Sequence, residues 1–156
     1  MNSMDSAAAQ AVWQRVRQSQ SMSERDETLE SALPRMIEQE REARCTYLAL
    51  ARCAGRNAGV FRCIAEEEGR HARKLAALYY LLTGNEHCSK VSGPVCVGNL
   101  CEELRARYAA ELSAAQFYRE AAERWPEQGN LFRCLAAAEQ CHSERLRTVA
   151  EQLIGC

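Results

Sequence analysis

The chain has 156 residues, 47% of them hydrophobic, and a formal net charge of −1 at pH 7. That is enough for one domain with a buried core and too few for two ordinary ones. The near-zero charge gives no electrostatic reason to bind nucleic acid or an anionic membrane surface, and the longest apolar run, residues 75–82, is far too short to cross a bilayer.

Ala, Leu, Glu, Arg and Gln dominate while Pro, Gly, Val and Ile are scarce, a composition that predicts an all-α fold. Residues 1–23 form an appendage: residues 8–17 can make a short helix with Ala9, Val12, Trp13 and Val16 near one face, and the polar residues 18–23 read as a linker. This segment either packs on the rest of the molecule or its dimer mate, or serves as a docking peptide for a larger assembly. The N-terminus lacks the hydrophobic core of a signal peptide, so a cytoplasmic protein is expected.

Residues 24–156 form the second region, with four predicted helices. The first covers residues 26–54, where Leu33, Ile37, Glu40, Arg44, Tyr47, Leu48 and Ala51 trace one stripe at helical spacing. The second covers residues 60–83 and stops at Gly84, a C-cap residue. The third starts near the N-cap Asn99 and runs to Trp125, where Pro126 blocks continuation, and the fourth covers residues 129–154.

The chain repeats itself at an offset of 71 residues: Glu40, Tyr47, Phe61, Arg62, Cys63, Ala65, Glu68, His71 and Leu75 recur as Glu111, Tyr118, Phe132, Arg133, Cys134, Ala136, Glu139, His142 and Leu146. Each half thus supplies one lone Glu and then a Glu-x-x-His, whose carboxylate and imidazole share a helix face. In an antiparallel helix pair, residues equally far from the turn sit at equal height. The midpoint of Glu40 and Glu68 is residue 54 and that of Glu111 and Glu139 is residue 125, both at predicted turns. Four Glu and two His meeting from four helices make the ligand set of a carboxylate-bridged two-metal centre. Residues 85–98 join the two hairpins; extended, they reach about 45 Å, enough to return along a helix of this length. Such a crossover is the ferritin-like topology.

The pattern resembles the ferritin-like superfamily, and within it most resembles rubrerythrin-type domains, with Glu, Tyr seven residues later, then Glu-x-x-His in both halves. The resemblance covers residues 29–154. It implies metal ligation by Glu40, Glu68, His71, Glu111, Glu139 and His142, with Tyr47 and Tyr118 donating to the ligand carboxylates. Two departures accompany it. Rubrerythrins commonly carry a rubredoxin domain with paired Cys-x-x-Cys, whereas this chain ends at Cys156 without one. They also place a further carboxylate, implicated in the ligand exchange of peroxide reduction, three residues after the Glu of the third helix; here that residue is Ala114. Glu66 falls off the ligand face and Glu67 reads as a surface charge.

Four carboxylates with two neutral imidazoles carry −4, which two divalent cations neutralise. Oxygen and nitrogen ligands without thiolate suit iron or manganese, with zinc a competitor. Iron is the metal that the resemblance implies, two ions per chain. The functional expectation is a di-iron oxidoreductase that reduces peroxide or dioxygen with electrons from an external donor such as a small redox protein. The alternatives are ferroxidase-like iron handling and a non-catalytic helical interaction module. The family resemblance and apolar helices also point to a homodimer. The nine cysteines form no Cys-x-x-Cys and read mostly as small core residues in a reducing compartment, and His87 reads as an exposed loop residue.

Overall fold

Helix punctuation in the chain follows from local chemistry at each end. The computed structural model describes residues 27–90 and 97–154. Its four α-helices are α1 (Leu29–Cys53), α2 (Ala58–Thr83), α3 (Leu100–Arg124) and α4 (Gly129–Ile154), with single 3-10 turns at Gly55–Asn57 and Pro126–Gln128. Gly84 terminates α2 in the left-handed region, φ 71°, with its N–H donating to Tyr80 O at 2.8 Å. Asn99 caps α3: its side-chain oxygen accepts from the N–H groups of Cys101 at 2.9 Å and Glu102 at 3.2 Å. Trp125 closes α3 before Pro126, which cannot continue the helix.

Met1–Ala32 and Leu33–Cys156 are separate compact units. Of the first, the described part opens α1, where the Ser31 N–H donates to Thr28 Oγ1 at 3.3 Å. The predicted appendage at residues 1–23 lies outside the described residues.

In the second unit the helices form a ferritin-like bundle. Tyr47 on α1 meets Glu111 on α3 and Tyr118 on α3 meets Glu40 on α1, so these two helices run antiparallel. His71 with Glu139, and Glu67 with His142, set α2 antiparallel to α4 in the same way. With short turns inside each hairpin, α2 and α3 must then run parallel, and the chain between them has to travel the length of the bundle. Its described residues 87–90 lie along α1: Glu38 accepts from the Lys90 N–H at 2.8 Å and from Ser89 Oγ at 3.3 Å, and lies 2.8 Å from His87 Nε2. Val97 and Leu100 then pack at the far end against the core of Tyr47, Leu50, Phe61, Ile64 and Leu146. His87 is therefore not an exposed loop residue: its side chain is 11% exposed and its ring meets the edge of Tyr79.

The repeat reappears in the packing. Tyr47 stacks on Phe61 with centroids 6.4 Å apart and Tyr118 on Phe132 at 6.2 Å, both pairs at 14°. Each of these four rings is buried, and burial of such a side chain contributes roughly 1.5–3 kcal/mol. The cysteines do not share that core. Of those described, all free, Cys53, Cys63, Cys88, Cys101, Cys134 and Cys141 are exposed and Cys45 is half-buried, because Leu, Phe, Tyr and Ala already fill the inward positions.

Candidate metal centre

The inward face of every helix contributes to one buried cluster at mid-height. Glu40 comes from α1, Glu68 and His71 from α2, Glu111 from α3, and Glu139 and His142 from α4; all six are buried. The i, i+3 spacing directs Glu68 with His71, and Glu139 with His142, to a common point. His71 Nδ1 lies 3.2 Å from Glu40 Oε2, 3.3 Å from Glu68 Oε2 and 3.0 Å from Glu139 Oε1. His142 Nδ1 lies 3.4 Å from Glu111 Oε2, 3.3 Å from Glu68 Oε1 and 3.2 Å from Glu139 Oε2. Glu68 and Glu139 thus turn one oxygen to each imidazole, whereas Glu40 faces only His71 and Glu111 only His142.

Two overlapping groups able to hold a metal ion result, Glu40, Glu68, His71 and Glu139 in one and Glu68, Glu111, Glu139 and His142 in the other, each with donor atoms within 4.8 Å of one another. The hydrogen bonding fits such an occupant. Each Nδ1 faces three carboxylates but has at most one hydrogen to give. Both oxygens of Glu68, Glu111 Oε2 and Glu139 Oε1 are buried without a hydrogen-bond partner, and burying carboxylates in this way is costly unless a cation compensates. The outer oxygens of the other pair are satisfied: Tyr118 OH donates to Glu40 and Tyr47 OH to Glu111. Each tyrosine serves the carboxylate of the opposite half of the chain.

Titration follows the same geometry. Burial, reinforced by Glu68 and Glu139 and only partly opposed by His71, pushes Glu40 up to about 8. Burial with Glu139 and Glu68, against His142, does the same for Glu111, also to about 8. Burial alone would raise Glu68 and Glu139 too, but the two imidazoles hold both below the usual carboxylate range. Burial disfavours the imidazolium of His71, yet Glu139, Glu40 and Glu68 raise it to about 11; against the same cost, Glu111, Glu139 and Glu68 raise His142. Burial, then Glu111 and Glu40 respectively, raises Tyr47 and Tyr118, so both remain donors. Without metal, the upward shifts favour protonated Glu40 and Glu111 and charged imidazoles beside anionic Glu68 and Glu139, so protons offset the carboxylate charge. Protons then stand where divalent cations would.

Two features were not legible as site residues. Glu67 is no plain surface charge: its Oε2 lies 2.7 Å from His142 Nε2, while Oε1 accepts from Arg145 Nη1 at 3.1 Å. Burial would raise its pKa, but His142 and Arg145 lower it. A carboxylate one residue from a ligand suggested this only weakly, since the adjacent helix position points off the ligand face. The other is a cavity of about 380 Å³ between α1 and α3, where Ala43, Ala110, Ala114 and Phe117 approach Glu40, Glu68, Glu111 and Glu139. Ala114, three residues after Glu111, lines it with a methyl group and no carboxylate. Among the described residues no helix is long and apolar enough to cross a membrane.

The family model described as Rubrerythrin matches residues 27–150. A solved structure of a hypothetical protein from Pyrococcus furiosus is similar with a TM-score of 0.73 and 29% identity, over 83% of this chain and 92% of that one. No curated protein matches the chain.

Proposed function

The chain belongs to the rubrerythrin family, and from that premise we propose that it is a non-haem di-iron oxidoreductase that reduces hydrogen peroxide or dioxygen with electrons from an external donor. The observation that carries this reading is the buried cluster in which Glu68 and Glu139 each turn their two oxygens toward different imidazoles. Glu40, Glu68, His71 and Glu139 would hold one ion, and Glu68, Glu111, Glu139 and His142 the other. Iron(II) bound there would supply one electron per ion, two per pair, matching the two-electron reduction of a peroxide.

The remaining chemistry belongs to the protein. Tyr118 and Tyr47 orient the carboxylates of Glu40 and Glu111 through their hydroxyl hydrogens. The α1/α3 cavity would admit a small oxidant on the side lined by Ala43 and Ala114. None of the nine cysteines belongs to a Cys-x-x-Cys, so electrons for repeated turnover come from a donor outside these residues. A homodimer in the cytoplasm, with residues 1–23 available to dock on a larger assembly, completes the reading.

Protein loaded anaerobically with iron(II) and mixed with hydrogen peroxide tests it. About one peroxide per iron pair should be consumed before the reaction stops, to restart when a reductant is added. Sustained oxidation of many equivalents of iron(II) would favour ferroxidase-like handling instead. Repeated peroxide consumption by metal-free protein with thiol alone would overturn the di-iron mechanism, and failure to bind metal would leave a helical interaction module.

A further inference from the structure

We propose that Glu67 is a positioning residue that makes the two halves of the metal centre unequal, holding His142 so that its position takes up metal more tightly than that of His71. The inference rests on the metal reading above and concerns a residue outside the six ligands.

His142 turns Nδ1 to the carboxylates of Glu68, Glu111 and Glu139, and Nε2 to Glu67 Oε2 at 2.7 Å. Glu67 is itself held: its Oε1 accepts from Arg145 Nη1 at 3.1 Å and from Cys63 Sγ at 3.5 Å, and Arg70 Nη2 lies 3.8 Å away. A carboxylate accepting the Nε2 hydrogen selects the tautomer whose Nδ1 lone pair is free for a metal, fixes the ring plane and makes the nitrogen more basic. The ring is fully buried, so no water competes for that hydrogen.

Among the described residues the first half lacks this arrangement. The residue related to Glu67 by the 71-residue offset is Ala138, whose methyl group cannot accept a hydrogen bond, and the residue related to Arg145 is Lys74. Everything on the metal side of the two imidazoles repeats, and the support behind them does not. Loss of such an outer partner typically lowers metal affinity about 10–100-fold. A first ion therefore goes to Glu68, Glu111, Glu139 and His142, and the ion at Glu40 and His71 is the one that exchanges.

Calorimetric titration of the full metal-free chain with cobalt(II) reads this directly. The natural chain should bind two ions in two resolved steps. Glu67→Ala should weaken the tighter step about 10–100-fold, Glu67→Gln, which keeps an acceptor without its charge, should fall between, and Ala138→Glu should tighten the weaker step. In zinc(II)-loaded protein, the slowly exchanging His142 Nε2–H resonance should be lost in Glu67→Ala with helical circular dichroism retained, which a merely structural role would not produce. Two cobalt(II) ions bound, with both steps and the resonance unchanged in the Glu67→Ala and Glu67→Gln variants, would overturn the proposal. No cobalt(II) binding by the natural chain would overturn the metal reading and this inference with it, a result distinct from the first.

Discussion

In the first half of the chain Glu40, Glu68 and His71 face the middle of the bundle, and 71 residues later Glu111, Glu139 and His142 do the same. Behind them the halves part. Glu67 and Arg145 stand behind His142, while Ala138 takes the place of Glu67 in the other half; Glu38 anchors the crossover, while its counterpart is Ala109. Repetition is strict where geometry must serve a shared centre and relaxed one layer out, where each half meets different neighbours.

The largest break of this comparison removes a residue that both positions share. Glu68→Ala or Glu139→Ala should lower metal content at both positions, whereas Glu40→Ala or Glu111→Ala should affect mainly one. Elemental analysis gives occupancy and circular dichroism should show helices retained, because the apolar stripes remain. Next come the paired rings: Phe61→Ala and Phe132→Ala should each destabilise by about 3–5 kcal/mol in denaturant titrations, and nearly equally, since both are fully buried against a tyrosine. A large inequality would show that the halves diverge in their core as well.

Proton exchange sharpens the comparison at the ligands. Glu40 and Glu111, raised to about 8, and His71, raised to about 11, with His142 raised too, are all shifted toward their protonated forms in the absence of metal. Two divalent ions should displace about four protons, one from each of these residues, measurable in a weakly buffered titration. The sign for stability follows. Folded values above the unfolded ones, 4.5 for the two Glu and 6.5 for His71, contribute at low pH and lose that contribution as pH rises, from about 4.5 to 8 and from about 6.5 to 11 respectively. Metal-free protein should therefore melt lower at pH 9 than at pH 6, and bound divalent ions should flatten the difference. Glu68 and Glu139, shifted downward, act in the opposite sense but only in acid. The smallest effect concerns the junction of the halves: Asn99→Ala removes the cap of α3 and should cost about 1 kcal/mol, with metal stoichiometry unchanged.

Helix positions and ligand height were legible because they depend on local signals. Gly84, Asn99 and Pro126 each act through their own backbone or side chain, and the midpoints at residues 54 and 125 need only antiparallel pairing. Contacts between unlike elements were not legible. Nothing in the spacing says that Tyr47 reaches Glu111 rather than a carboxylate of its own half, or that Glu67 on α2 meets His142 on α4, because these depend on how helices lie side by side. Nor did the general tendency of free cysteine to be buried predict Cys63, Cys134 and Cys141, which occupy outward helix positions.

Anomalous diffraction from crystals of iron-loaded protein would locate the ions themselves. Two peaks per chain are expected, one bounded by Glu40, Glu68, Glu139 and His71 and the other by Glu68, Glu111, Glu139 and His142. Peaks lying elsewhere, or these six side chains turned away from the ions, would contradict the two-metal centre.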